Sequence, residues 1–324
     1  MRSFFDALVE ACSQKESFVL GLISGVQGSS PQKRGAKALF FPDGRIVGTL
    51  GGGCLEAEVR RRALEALKHG QPEKFDLLLD HDFGWDDGLI CGGKVYGLIL
   101  PEAARYVEIW KQLARREQAR TWGIGEDFEV QWIDAADSGQ WIYRETVSPP
   151  FALWIAGSGH IARAVAPLAQ QLDFEVTVFD DRPALASHQF YPEETILRVD
   201  YWPSLLSDEL PGRPTFGLIV TRGHQHDALV LKGWINKPFA FLGMIGSKRK
   251  KRIIFSHFVE EGIASEEQLS NVACPVGIDI DAVSVHEIAV SIVAQLVQKR
   301  AELLGNTKRR SSRAIETEDC QVGE

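Results

Sequence analysis

Residues 151–181 read FALWIAGSGHIARAVAPLAQQLDFEVTVFDD, and this stretch decides the fold. An apolar run from Phe151 leads into Gly157-Ser158-Gly159-His160-Ile161-Ala162, then into apolar residues at helical spacing, then into a second apolar run closed by Asp180 and Asp181. Strand, glycine turn, helix and strand form a βαβ unit. In that setting G-x-G-x-x-A, with an acid about 20 residues on, is the dinucleotide fingerprint. Gly157 permits the tight turn, Gly159 lets a pyrophosphate approach the backbone, and Ala162 keeps helix and strand close. The helix start offers N–H groups and a positive dipole end to an anion. Asp180 or Asp181 is the expected acceptor for a ribose or a comparable diol. Pro167 falls inside the predicted helix, where the lost hydrogen bond costs about 3 kcal/mol or forces a kink.

Towards the C-terminus the alternation continues, which calls for a doubly wound parallel sheet of the Rossmann-like α/β class. In FGLIVTRGHQHD a strand ends at Arg222, His224, His226 and Asp227, at the carboxyl edge where such sheets bind ligands. In FAFLGMIGSKRKKR, Gly246 and Ser247 open a helix whose Lys248 and Arg249 suit a phosphate, whereas Lys250 to Arg252 read as a solvated face. His224 and His226 also suit a metal, or simple loop structure. Ser284 and Glu287 form an S-x-x-E capping box before the last helix.

Towards the N-terminus, Ser148-Pro149-Pro150 is the boundary signal. It divides the chain into an α+β domain over 1–148, a Rossmann-like domain over 149–305 and a polar tail, 306–324, expected to be disordered. The first domain reads as a helix from Phe4 to about Gln14, a strand FVLGLIS and a turn-rich loop GSSPQKRG. A hairpin about PDG follows, then a helix from the Gly51-Gly52-Gly53 run to Gly70. Beyond it come a strand FDLLLD, a polar loop HDFGWDDG, a strand KVYGLILP, a helix over Ala103–Arg120 and a hairpin over FEVQWIDAADSGQWIYRETV.

Within LGGGCLEAEV (50–59), Cys54 stands where a helix begins, and Cys91 in LICGG again lies against glycines. A thiol at a helix N-terminus is expected to ionise more readily than a free one, and adjacent glycines let a bulky ligand approach. The competing reading of Cys54 is a small buried residue. Glu56 either orients a ligand or is a first-turn acid favoured by the dipole. Ser29, Ser30, Lys33 and Arg34 in GSSPQKRG make a second candidate anion seat.

The whole chain sets bounds on these readings. Its 324 residues suit two domains, and with 44% apolar and 25% charged residues it can bury a core without a membrane-spanning run. Five cysteines at wide spacing, with no CxxC, argue against a disulfide framework and a self-contained zinc knuckle, and fit the reducing cytoplasm. A net charge of −8 argues against general nucleic-acid binding. The N-terminal residues do not read as a signal peptide.

Two sets of motifs together resemble the XdhC/CoxI family: GSSPQKRGAKALFFPDGRIVGTLGGGCLEAEV with ICGG, and GSGHIARAVAPLA, FDDRP, TRGHQHD, GMIGSKRKKR and CPVGIDIDAVSVHEIAVSIVAQL. The resemblance implies an accessory chaperone rather than a purine-oxidising enzyme. Such a protein binds the molybdenum cofactor, in mono- or dinucleotide form, and presents it to a cysteine desulfurase for sulfuration. It then hands the cofactor to an apo molybdenum hydroxylase such as xanthine dehydrogenase. It also implies that Cys54, with Cys91, lies near the molybdenum, and that Gly157, Gly159, His160 and Asp181 hold the pterin or nucleotide. Glu56, Asp180, Arg222, His224, His226, Gly246, Ser247, Lys248 and Arg249 complete the candidate cofactor-binding set. CPVG departs from the family pattern by carrying Cys274. The alternative is an NAD(P)-dependent oxidoreductase using the Gly157 loop, with His224 or His226 as acid or base. A homodimer is the default assembly.

Overall fold

A computed structural model describes residues 4–79, 93–134, 137 and 139–305. Cys91, the HDFGWDDG loop, Cys320 and the tail beyond Gly305 lie outside the described residues. The chain divides into two compact units between Pro149 and Pro150.

In the first unit, α1 (Phe4–Ser13), β1 (Val19–Gln27), β2 (Lys37–Phe40), β3 (Ile46–Gly48), α2 (Gly53–His69), β4 (Glu73–Leu78) and β5 (Lys94–Leu100) follow in turn. The strands make an antiparallel sheet of order β3-β2-β1-β5-β4. Helix α2 lays Leu55, Val59, Ala63 and Ala66, one face at spacings of three and four, against Val19, Ala38, Phe40 and Val95. Gly70, with φ 65°, ends it in the left-handed conformation. On the other face of the sheet, α1 and α3 (Val107–Arg115) bury Phe5, Leu8, Trp110 and Leu113 over Leu20, Leu39 and Leu98.

A second, three-stranded sheet joins this core through β6 (Arg120–Ile124), β7 (Val130–Trp132) and β8 (Tyr143–Val147). Its order is β7-β6-β8, which corrects two expectations. The helix stops at Arg116, held at φ 50°, and Arg120 already belongs to a strand. The expected hairpin does not form either, because β7 and β8 each pair with β6 and not with one another. Trp122 and Ile124 are buried while Gly123 between them admits the Tyr143 backbone, so β6 takes the centre.

The second unit contains β9 (Phe151–Ala156), α4 (His160–Gln171), β10 (Phe174–Asp180), β11 (Ile196–Val199), α5 (Trp202–Ser207), β12 (Thr215–Ile219), α6 (His224–Trp234) and β13 (Phe241–Met244). After these come α7 (Lys248–Glu260), α8 (Glu266–Ser270), β14 (Val272–Ala273) and α9 (Val285–Leu303). All six strands are parallel, in the order β11-β10-β9-β12-β13-β14. Numbered from β9 this is 3-2-1-4-5-6, the doubly wound arrangement. Ala162, Val165, Ala166 and Ala169 of α4 pack with Ala289, Ile292 and Leu296 of α9 on one face. Trp202, Val230, Trp234, Ile254 and Phe258 cover the other. Helix α4 runs through Pro167 as a single element, because its apolar face is fully buried and outweighs one missing hydrogen bond. The capping box forms as expected: Ser284 Oγ accepts from Glu287 N, and Glu287 accepts from Ser284 N.

Candidate functional site

The order of the parallel sheet reverses between β9 and β12, and in sheets of this kind ligands bind in the crevice outside the carboxyl ends of the strands at such a reversal. Gly157 turns the chain out of β9 at φ 108°, and a Cβ there would stand 2.5 Å from the Val220 carbonyl oxygen. Only glycine fits that approach. Gly159 caps α4 without a side-chain acceptor, and among the described residues no atom outside its own chain segment lies within 4 Å of where its Cβ would be. The N–H groups of His160, Ile161 and Ala162 precede the first intrahelical bond, from Arg163 to Gly159, so the exposed start of α4 is an anion-favouring end.

The two adjacent acids after β10 have different roles. Asp180 is fully buried: Oδ2 accepts from Ser158 N at 2.6 Å and Arg182 Nη2 at 2.8 Å, while Oδ1 accepts from Arg182 N at 2.9 Å and Nε at 2.7 Å. Burial pushes its carboxyl up, but the Arg182 guanidinium and the Ser158 N–H outweigh that and hold it below the usual carboxylate range. With both oxygens engaged, Asp180 braces the glycine loop and is not placed as a diol acceptor. Asp181 is half-buried; its Oδ2 accepts from Arg222 at 2.9 Å, and its Oδ1, 3.9 Å from Arg182 Nε, has no hydrogen-bond partner among the described residues.

Across the crevice, Arg222 Nη2 also lies 2.7 Å from His226 Nε2, so Asp181, Arg222 and His226 form one chain of contacts over the ends of β10 and β12. A donor guanidinium at that distance fits the imidazole tautomer with its proton on Nδ1. His224 is exposed at the start of α6. Among the described residues no three His, Cys, Asp or Glu side chains gather as a metal cage.

Behind these groups, Asp227 is completely buried and accepts from Thr221 N at 3.0 Å and Thr221 Oγ1 at 2.6 Å. It also pairs with Lys250 of α7, whose Nζ reaches the Ile245 carbonyl at 3.2 Å. Lys250 is therefore not on a solvated face, which corrects the reading of the basic run. It lies four residues before buried Ile254 and eight before buried Phe258, on the inward side of α7. Ser247 accepts from Lys250 N and caps α7, leaving Lys248 and Arg249 exposed in its first turn; Gly246 lies against Lys250 and Cys274. Cys274 packs in the core, and burial pushes its thiol up.

In the N-terminal unit, Gly51, Gly52 and Gly53 take positive φ in succession (113°, 72° and 57°), and Cys54 follows, half-buried, in the first turn of α2. A Cβ on Gly51 would stand 2.9 Å from Pro31 Cγ, so the turn lies against the GSSPQKRG loop. Gly93, the last residue of the second glycine motif, abuts the Ser29 carbonyl. Glu56 Oε2 accepts from Thr49 Oγ1 at 2.9 Å and Leu50 N at 2.8 Å, while Thr49 Oγ1 accepts from Gly51 N at 3.0 Å. Glu56 thus bends back to brace its own turn. Arg34 is held over the Tyr143 ring and donates to the Arg144 carbonyl, so it contributes to the fold as well as to surface charge.

Residues 153–296 match the XdhC Rossmann domain, and residues 11–81 match the XdhC and CoxI family. The chain belongs to the XdhC and CoxI family. Its similarity extends to a protein of Bacillus subtilis (strain 168) named as a probable xanthine dehydrogenase subunit, 27% identical over 92% of this chain and 97% of the relative. It is also similar to "Molybdenum cofactor insertion chaperone PaoD" of Escherichia coli (strain K12), 26% identical over 92% of this chain and 88% of the relative. A third relative, the uncharacterized protein YqeB of the same organism, is 28% identical over 87% of this chain, which spans 43% of YqeB. A crystal structure named as a xanthine dehydrogenase from Bacillus halodurans superposes with a TM-score of 0.76 at 26% identity, over 92% of this chain and 96% of that one. In this XdhC and CoxI family chain, Lys37 and Glu145 also pair across the N-terminal unit, outside the set of candidate residues that the sequence marks. An inward-facing lysine alternating with Leu39 and Phe41 was the available signal.

Proposed function

We propose that the protein is an accessory factor of a molybdenum hydroxylase, binding the molybdenum cofactor as cargo and supporting its sulfuration and insertion into the apoenzyme. The observation that carries this reading is Cys54, a half-buried thiol in the first turn of α2 behind three left-handed glycines, in a chain similar to a named cofactor-insertion chaperone. A soft thiol suits a sulfur-ligated metal centre. The C-terminal unit by itself suits the phosphate-bearing part of such a ligand: open space above Gly159, the start of α4, and Arg222 within reach of Asp181 and His226. His160, His224, Lys248 and Arg249 add donors at the starts of α4, α6 and α7. Cys91 joins this proposal on the resemblance alone. When bound, the cofactor supplies the molybdenum centre that the hydroxylase uses; the chain's own residues bind and orient it. A cysteine desulfurase and an apo molybdenum hydroxylase are the partners this role requires.

The dinucleotide oxidoreductase reading would use the same crevice. Its diol would have to be read by Asp181, since Asp180 is committed to Ser158 and Arg182. Purification under anaerobic conditions separates the two. Molybdenum and a fluorescent oxidised pterin should accompany the protein, and Cys54→Ala should lose most of both along with activation of an apo-hydroxylase. Retention and activation unchanged in Cys54→Ala would remove the thiol from the proposal. A bound nicotinamide dinucleotide in place of the pterin would favour the oxidoreductase.

A further inference from the structure

Lys37 lies on β2, two residues from the GSSPQKRG loop, and its side chain is only 7% exposed. Its Nζ donates to the Gly35 carbonyl at 2.9 Å and to Glu145 of β8 at 2.8 Å. The rings of Phe5, Trp122 and Tyr143 surround it at 5.6, 5.9 and 5.8 Å. Trp122 Nε1 donates to Glu145 Oε2 at 3.1 Å, so the carboxylate is oriented from a second side. A lysine so enclosed is costly to keep charged, and burial lowers its pKa while Glu145 works against that shift. Removing either partner would strand the other.

The main chain of Lys37 reaches sideways, to the end of β3. Its carbonyl accepts from Thr49 N at 3.0 Å, and Thr49 Oγ1 joins Glu56 and Gly51 in the network that shapes the glycine turn. The loop anchored at Gly35 supplies Pro31 and Gln32, which lie against Gly51. Two supports of the Cys54 turn therefore meet at this one residue: its own carbonyl on β2, and the 28–35 loop, whose end is also tied to β1 through Gly35 N and the Ile23 carbonyl.

We propose that Lys37 is a positioning residue for the Cys54 turn, its ammonium anchored on Glu145 and Gly35 so that β2 and the adjoining loop hold Gly51–Cys54 in a single shape. The significance of that shape for cofactor retention rests on the function proposed above; the positioning itself does not. The test compares Lys37→Met, Lys37→Met/Glu145→Gln and Lys37→Arg in the full-length chain. It reads peptide-resolved hydrogen exchange over residues 49–56, iodoacetamide labelling of Cys54 by mass spectrometry, and thermal melting. The double variant strands no buried charge and should melt close to wild type. Its 49–56 segment should nevertheless exchange about tenfold faster, with Cys54 labelling changed by about threefold or more, because a local anchor is gone. Lys37→Arg keeps donors for both acceptors and should stay within about threefold of wild-type exchange. Wild-type exchange and labelling in the folded double variant would overturn the proposal. So would an arginine variant as loose as Lys37→Met, which keeps the test decisive if the double variant does not fold. Retention of molybdenum by Cys54→Ala, with the Lys37 effects present, would remove the thiol's role in cofactor binding and leave the positioning intact.

Discussion

Two glycine turns of the protein, at Gly157 and at Gly51–Gly53, each deliver the chain into a helix, and they are held in different ways. The turn at Gly157 is fixed from outside: the Val220 carbonyl leaves no room for a side chain, and Asp180 from the neighbouring strand clamps Ser158 N. The turn at Gly51–Gly53 is fixed by hydrogen bonds close at hand: Glu56 of its own helix reaches back to Thr49 and Leu50, and the Lys37 carbonyl holds Thr49 N. Close packing makes the first a part of the sheet. The second is a local device whose shape can be altered without dismantling the core, a difference suited to a segment that must meet a bulky ligand.

Substitutions sharpen that contrast. Gly157→Ala combines positive φ with a backbone clash and should cost the C-terminal unit about 3 kcal/mol, read as a lowered denaturant midpoint. A loss under about 1 kcal/mol would show that the turn has room to move. Asp180→Asn should cost about 2 kcal/mol near neutral pH by weakening the contacts with Arg182 and Ser158. The native pKa of Asp180 is depressed, so its contribution is complete above the unfolded value of about 4 and is lost as pH falls through the native value. Wild type and Asp180→Asn should therefore differ by a constant amount above about pH 5 and converge in acid. Persistence of the full difference at pH 2 would contradict the ion pair.

Smaller effects are expected in the N-terminal turn. Glu56→Ala should cost about 1 kcal/mol globally while accelerating hydrogen exchange at Leu50 and Gly51 far more than in the β1–β5 core. Uniform acceleration would mean that the turn is as deeply integrated as its counterpart. Gly159→Ala should be nearly neutral for stability, under about 0.5 kcal/mol, since its φ of −85° suits alanine and the space is open. The same change puts a methyl where a ligand would approach, so a drop in cofactor retention without a drop in stability is the expected signature.

The doubly wound sheet was legible because each βαβ unit carries a strand-length apolar run, a breaker and a helical period in sequence order. The short elements were not. TWGI gives β6 too little alternation to stand out after a helix, and β14 is two residues long. Which of two adjacent acids faces the crevice was beyond the sequence as well: successive residues leave a strand end in opposite directions, and only the position of Arg182 and Ser158 commits Asp180 inward. Lys250 and Lys37 were readable in principle. One shares the helical face of Ile254 and Phe258, the other the strand face of Leu39. A charged residue on an apolar face is easily taken for a surface one until its partner, here Asp227 or Glu145, is placed opposite.

The Lys37–Glu145 pair joins residues 108 positions apart. During synthesis the strand bearing Lys37 and the turn bearing Cys54 leave the ribosome long before Glu145 is made. Until β8 arrives, the lysine can remain hydrated and the turn it braces unfinished. Completion of the thiol-bearing segment is thereby deferred to the last strand of its unit, so a nascent or truncated N-terminal fragment would carry the cysteine without the setting that gives it a role.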